Sequence, residues 1–353
     1  MGLRLLSVAY PFAPVSGDAS GGSEQVLAHL DRALVEAGSQ SLVIAPEGSK
    51  VTGELITLRA IAGPLDDMAM AQGRAICREV VLRSLAQHSV DLVHFHGLDF
   101  HHYLPPPGLP ILTTLHLPIG WYPEAALWPS RPDSWFNCVS ATQHSAVAAN
   151  PHMLAPIGNG VDVERLAVER NPQGFALVLT RICPEKGIHL AIEAAAKAKV
   201  AIVIAGEIFP YAAHQAYFDH EIAPRLGPDC RFMGPVDFAT KRQLLAEAEC
   251  LLVPSLVEET SSLVAREAAA TGTPVIAFAR GALPETVEHE VTGFLVDTVE
   301  AMAAAIPLAG QIRPAACRDK ARRCFSHKAM AEAYFGYWQI LADGATARRR
   351  GVG

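Results

Sequence analysis

Short apolar runs alternate along this chain with longer stretches whose apolar residues recur every three or four positions. The first kind reads as buried strand and the second as amphipathic helix. Residues 3–9 form the first run, and a loop rich in Gly, Ser and Pro follows over 11–22. A helical pattern then starts near Ser23, with Val26, Leu27, Leu30 and Leu34 on one face. Further strand runs occupy 41–45, 91–95, 111–115 and 136–139. The pattern restarts at 175–180, with a short basic loop and an Ala-rich helix from about Gly187, and continues through 201–205, 250–253, 274–278 and 294–296. Strands alternating with helices predict βαβ units and parallel sheets.

Between the two sets lies Pro156-Ile157-Gly158-Asn159-Gly160-Val161-Asp162. Gly, Pro and Asn at that density mark a linker or hinge. The chain therefore divides into an N-terminal α/β domain over 1–160, a C-terminal one over 161–325, and a last segment over 326–353. That segment opens with a helical pattern to about residue 342, carrying Met330, Tyr334, Trp338 and Leu341 on one face. It is expected to cross back to the first domain, and Arg348-Arg349-Arg350 reads as a frayed tail.

Composition narrows the function. Half of the 353 residues are apolar, enough for two cores. Acidic residues outnumber basic ones by 36 to 29, a net charge of −7, which argues against a nucleic-acid partner. Seven cysteines without a Cys-x-x-Cys pair read as free thiols in a reducing, cytoplasmic setting. No unbroken apolar run reaches the length of a membrane span. A peripheral membrane contact stays compatible with the sequence.

Two segments carry candidate chemistry. Glu259 and Glu267 stand eight apart. Glu259 falls in the loop before a helix and Glu267 about one turn inside it. The backbone amides of Thr260, Ser261, Ser262 and Leu263 would face an anion or sugar oxygens at the helix start. Acidic residues favoured by the helix dipole are the plainer explanation, with equal weight for the pair alone. Arg181 and Lys186 lie just past the strand at 175–180, at the edge of an open α/β sheet where ligands bind. Two cations there suit a diphosphate, against the alternative of a solvated basic turn.

In order along the chain, these segments resemble the retaining family 4 (group 1) glycosyltransferases, which have the GT-B fold. Gly21-Gly22 follows the first strand, as the family's Gly-Gly loop does. Asp91-Leu92-Val93-His94-Phe95-His96-Gly97, Leu112-Thr113-Thr114-Leu115-His116 and Asn159-Gly160-Val161-Asp162 are similar to its strand and hinge motifs. Arg181 with Lys186, and Glu259 with Glu267, match its Arg-x4-Lys and Glu-x7-Glu. Phe232-Met233-Gly234-Pro235-Val236, Gly281-Ala282-Leu283-Pro284-Glu285 and Gly293-Phe294-Leu295-Val296 resemble its base-binding turn and closing segments. The chain departs from the pattern at Thr180, where the family has Gly, and at Thr260-Ser261-Ser262, where it has Gly-Phe-Gly.

The resemblance implies two Rossmann-like parallel-sheet domains facing a central cleft, the first for the acceptor and the second for the donor. It implies metal-independent transfer of a hexose from an NDP-sugar, a UDP-sugar among the candidates, to an acceptor the sequence does not identify (a sugar, a lipid or a small molecule). The NDP-sugar is a substrate, and no cofactor is expected. Arg181 and Lys186 would hold the diphosphate, Glu267 the ribose, and Glu259 hydroxyls of the sugar. His116 would stand near the sugar, Gly21 and Gly22 would let backbone approach the phosphates, and Pro235 and Val236 would meet the base. An NDP-sugar 2-epimerase of the same architecture and a non-catalytic nucleotide-sugar-binding protein are the rival functions.

The remaining features read more plainly. His94, His96, His101 and His102 crowd nine residues without zinc-like spacing, so packing is favoured over a metal. Asp18 offers a general base or a turn residue, with the turn slightly favoured, and Cys183 reads as an inert thiol with no catalytic base beside it. Trp121, Trp128 and Trp135 stack on a sugar or simply cap the expected cleft, with even weight.

Overall fold

A computed structural model describes residues 2–61, 63, 65–147 and 150–350, with side chains through 345. The side chains of Arg348 to Arg350, read as a frayed tail, lie outside the described residues.

The chain forms two compact units, residues 1–158 with 328–353, and residues 159–327. In the first unit, β1 (Arg4–Val8), β2 (Gln40–Pro46), β3 (Glu54–Leu58), β4 (Leu92–Phe95), β5 (Ile111–Leu115) and β6 (Ser134–Cys138) build one parallel sheet. Its order is β3-β2-β1-β4-β5-β6. The second unit repeats the plan with β7 (Phe175–Leu179), β8 (Ala201–Ala205), β9 (Cys230–Phe232), β10 (Cys250–Val253), β11 (Val275–Phe278) and β12 (Gly293–Val296). Its order, β12-β11-β10-β7-β8-β9, is the same one with every strand advanced by six. Each sheet thus has the doubly wound order in which the chain reverses direction beside its first strand. That switch point falls between β1 and β4 in one unit and between β7 and β10 in the other.

The central strands are buried on both faces, as parallel strands covered by helices must be. Leu5, Leu6 and Val8 of β1 and Leu251 and Leu252 of β10 are at most 2% exposed. The helix Gly22–Glu36 buries Val26, Leu27, Leu30 and Leu34, the face its sequence predicts. Two strands are absent from the sequence reading. Edge strand β3 buries only Leu58 among its five residues, and β9 has three residues, so neither writes a strong apolar run.

The helix after β3 is also absent from the sequence reading. Asp66 caps a 21-residue helix, Asp67–Gln87, by accepting a hydrogen bond from the Ala69 amide at 2.8 Å. Its inner face holds Gly73, Cys77, Val80, Val81 and Ser84, too small and too mixed to stand out as an apolar stripe.

The last helix, His327–Arg350, buries Met330, Tyr334, Trp338 and Leu341. The Tyr334 hydroxyl lies 3.1 Å from Thr114 Oγ1 and accepts from Asn137 Nδ2 at 3.1 Å, so the end of the chain completes the core of the first unit. Where the chain enters and leaves the second unit, Val161 donates to the Phe325 carbonyl at 2.8 Å and His327 to that of Val161 at 3.1 Å. A Cβ on Gly160 would stand 2.4 Å from His327 Cα, so only glycine lets the two segments run this close.

Candidate functional site

Two loops at the carboxyl ends of β7 and β10 flank the switch point of the second unit. After β7 come Thr180 and Arg181, then the turn Pro184–Lys186 and Gly187, which opens the helix Ile188–Ala198. After β10 come Pro254 to Ser262 and the helix Leu263–Thr271. The loops are tied: the Leu256 amide donates to the Glu185 carbonyl at 2.8 Å. Gly187 is left-handed (φ 61°), and a Cβ there would lie 2.3 Å from the Pro254 carbonyl oxygen. Glycine is what allows this approach.

The tie brings Lys186 and Glu259 together. Lys186 Nζ lies 2.5 Å from Glu259 Oε1. The Ser255 hydroxyl donates to the same oxygen. Burial pushes the Glu259 carboxyl up, but the Lys186 ammonium, the Ser255 hydroxyl and the Arg181 charge together outweigh it and hold the carboxyl below its usual value. Arg181 makes no salt bridge among the described residues; its guanidinium lies 5.5 Å from the centre of the Phe209 ring. One cation is thus partly neutralised and one is available.

Gly281 fixes the backbone of Glu259 from behind. It is left-handed (φ 57°), and a Cβ would come within 2.3 Å of the Glu259 carbonyl oxygen and 2.5 Å of its nitrogen. The Ala282 amide donates to that carbonyl at 2.6 Å. The departures from the family pattern also find physical terms. Ser262, in the place of the family's last glycine, adopts φ 53°, so a serine carries a left-handed backbone there. At Thr180 the close approach is supplied by a neighbour: a Cβ on Gly206, after β8, would lie 1.7 Å from the Thr180 carbonyl oxygen.

Glu267 sits in the middle of its helix, 5% exposed, and its Oε1 lies 2.5 Å from Lys241 Nζ. Lys241 comes from the helix Phe238–Glu247 and is itself buried. Sequence reading missed it, because a single lysine on a helix reads as solvated. Its signal is position: it shares a face with buried Leu244 and Leu245. Ser255 and the neighbouring Arg266 were missed too. Arg266 is buried, donates to the Asn159 carbonyl and packs on the Phe325 ring, with its pKa lowered to about 10 by burial. Pro235 is exposed and Val236 half-buried in the turn after β9. Thr260 and Leu263 are half-buried and Ser261 is buried.

Gly21, Gly22 and His116 belong to the first unit. Gly21 precedes the helix Gly22–Glu36, after the β1 loop, with Asp18 in a turn. His116 follows β5, and its Nε2 lies 3.0 Å from His96 Nδ1. His94 Nε2 contacts Thr114 Oγ1 at 2.8 Å. Burial drives His116 down to about 3 and holds His94 and His96 well below the usual imidazole value, so all three are neutral. Trp121 and Trp128 are exposed, and six of the seven cysteines are buried free thiols.

Both halves of the chain match families of known proteins. Residues 20–165 match the model of "Glycosyltransferase Family 4", and residues 174–308 that of "Glycosyl transferases group 1". The chain belongs to this family of glycosyltransferases, and two α/β sheets of one design give it the GT-B fold. A glycogen synthase of Mycobacterium tuberculosis is 28% identical over 94% of this chain and 93% of its own. A D-inositol 3-phosphate glycosyltransferase of Mycolicibacterium paratuberculosis is 36% identical over 49% of this chain and 42% of its own. Among solved structures, sucrose-phosphate synthase from Thermosynechococcus elongatus superposes with a TM-score of 0.78 at 21% identity, covering 97% of this chain and 100% of that one. HepE from Anabaena, in complex with UDP and glucose, gives 0.72 at 17% identity, covering 96% and 100%. No helix among the described residues is long and apolar enough to cross a membrane.

Proposed function

We propose that this glycosyltransferase moves a hexose from an NDP-sugar, a UDP-sugar first among them, to an acceptor with retention of anomeric configuration and without a metal. The acceptor is held by the first unit and the donor by the second. The observation that carries the reading is the pairing of Lys186 with buried Glu259 at the switch point, beside Arg181.

When the bond from the anomeric carbon to the β-phosphate oxygen breaks, negative charge grows on the diphosphate. Arg181 and Lys186 supply fixed positive charge where it develops. Glu259 accepts from Lys186 and Ser255 on one oxygen, which leaves its role as a hydroxyl acceptor for the sugar and not as a nucleophile. Glu267, fixed by Lys241, accepts from the ribose. His116, neutral and paired with His96, and the Gly21-Gly22 backbone are the first unit's own candidates for substrate contact. The fold's relative with UDP and glucose bound is in keeping with a nucleotide donor.

Incubation with a panel of NDP-sugars tests this. Slow release of free NDP is expected with the correct donor, rising with acceptor, and an α-donor should give an α-linked product by proton NMR. A β-linked product, an epimerised sugar without NDP release, or binding without turnover on every donor would overturn the reading, the last two in favour of the epimerase or the silent binder.

A further inference from the structure

The loop that bears Arg181 and Lys186 also bears Cys183 and Glu185, which the donor reading leaves unused. His214, on the short helix Ala212–Tyr217 after β8, meets them. Cys183 Sγ, a Glu185 carboxylate oxygen and a His214 ring nitrogen all lie within 4.8 Å of one another. Glu185 Oε2 and His214 Nδ1 are buried and have no hydrogen-bond partner among the described residues. Two buried, unpartnered polar atoms facing a thiol are costly unless something binds them.

We propose that Cys183, Glu185 and His214 form a binding site for one soft divalent cation, zinc above all, separate from the group-transfer chemistry. Thiolate, imidazole and carboxylate together are a zinc ligand set. Zinc–ligand bonds of about 2.0–2.3 Å place tetrahedral ligand atoms roughly 3.3–3.8 Å apart, so the observed spread closes with a shift of about 1 Å. Three protein ligands leave the fourth position to water.

The charges also balance. On binding, the Cys183 S–H bond breaks, a zinc–sulfur bond forms and one proton passes to solvent. Thiolate and carboxylate then offset both charges of the ion, so the site passes from a single net negative charge, carried by the Glu185 carboxylate, to neutral beside the Arg181 guanidinium. Burial pushes the Cys183 thiol up to about 11, with the Glu185 carboxylate adding to the effect and Arg181 opposing it. Zinc must displace that proton, so affinity should rise about tenfold per pH unit across the neutral range.

Cobalt(II) is the probe, with zinc as competitor, on full-length protein freed of metal by EDTA. Cys324, the exposed thiol, is first replaced by Ala to remove adventitious binding. One equivalent of cobalt should give a thiolate-to-cobalt charge-transfer band that one equivalent of zinc abolishes. Cys183→Ser should remove the band, and Glu185→Gln and His214→Ala should each weaken zinc at least about tenfold. Circular dichroism identifies folded variants, and His214→Ala, on a half-buried short helix, serves if Cys183→Ser does not fold. Absence of stoichiometric binding, or unchanged affinity in the folded variants, overturns the site. NDP release is assayed in parallel: release that persists although the EDTA-free apoprotein takes up no cobalt defeats this inference alone, and a bound cobalt with no transfer on any donor defeats only the donor reading.

Discussion

Lys186 faces two acceptors with one ammonium. It already holds Glu259, and in the proposed reaction it also meets the leaving diphosphate. An ammonium has three donors, so both can be served at once. Its charge matters most when the phosphate becomes an anion, so its loss should fall on turnover more than on donor affinity. Lys186→Ala is expected to lower kcat about 10²-fold or more, the scale of one preorganised donor, while EDTA leaves wild-type turnover unchanged. A normal kcat in the variant, or activity lost to EDTA and restored by magnesium, would refute the assignment. The same pair predicts a titration. The Glu259 carboxyl sits below its ordinary 4.5 in the folded chain, so this pair stabilises fully above 4.5 and the contribution is lost as pH falls through the lower folded value. Lys186→Met leaves the burial and removes its main counterweight. Carbon-13 NMR should then find the Glu259 carboxyl raised above 4.5; an unshifted carboxyl would show that the pair is not formed in solution.

Elements position these side chains, and glycines set how closely the elements meet. Gly281 backs directly onto Glu259. Its left-handed backbone alone makes Gly281→Ala unfavourable by about 1–2 kcal/mol. The new Cβ also meets main-chain atoms of Glu258 and Glu259, which must move. Gly174→Ala is the control, since Gly174 is left-handed too (φ 78°) and has nothing within 4 Å of its Cβ position. Both variants should lose similar stability from strain, but only Gly281→Ala should lose turnover, by up to about 10²-fold for a displacement near 1 Å. Equal kinetics in the two variants would remove Gly281 from the support of the site. This level also separates what the sequence shows from what it hides. Ten of the strands write themselves as apolar runs because most of their residues are buried, and Arg181, Lys186, Glu259 and Glu267 stand at fixed spacings beside them. The half-exposed β3, the three-residue β9 and the small-faced helix Asp67–Gln87 leave no such trace. Lys241, Ser255 and Arg266 were hidden for another reason. Lys241 and Arg266 acquire their meaning from partners 26 and 107 positions away, and no local pattern reports a contact across that distance; Ser255 bonds only 4 positions on, but in a loop without periodicity to read.

At the scale of the whole molecule, the two units share a plan but not a chemistry, and acid should distinguish them. The first unit buries His94, His96 and His116 around the end of its sheet, with Tyr334 and Trp338 of the last helix packed against His94. His96 and His116 face each other through a single hydrogen-bonding pair of nitrogens, which holds one proton between them. Protonating both rings would set two N–H groups against each other inside the core. All three folded values lie below the ordinary 6.5, chiefly because burial penalises the imidazolium. The unfolded chain takes up protons near 6.5 that the folded chain refuses, so stability is full above that pH and drains as pH falls below it. Each neutral histidine contributes a slope of up to about 1.4 kcal/mol per pH unit. In the second unit His189 and His214 are shifted the same way by burial but are only partly buried, so their pull is weaker. Hydrogen exchange between pH 7 and pH 5 should therefore show β4 and β5 losing protection before β7 and β10. Replacing His94 by Gln, which cannot titrate and can still reach Thr114, should flatten the acid response of the first unit. Loss of protection first in β7 and β10, or a His94→Gln protein with an unchanged acid profile, would show that the buried histidines do not govern the acid stability of this fold.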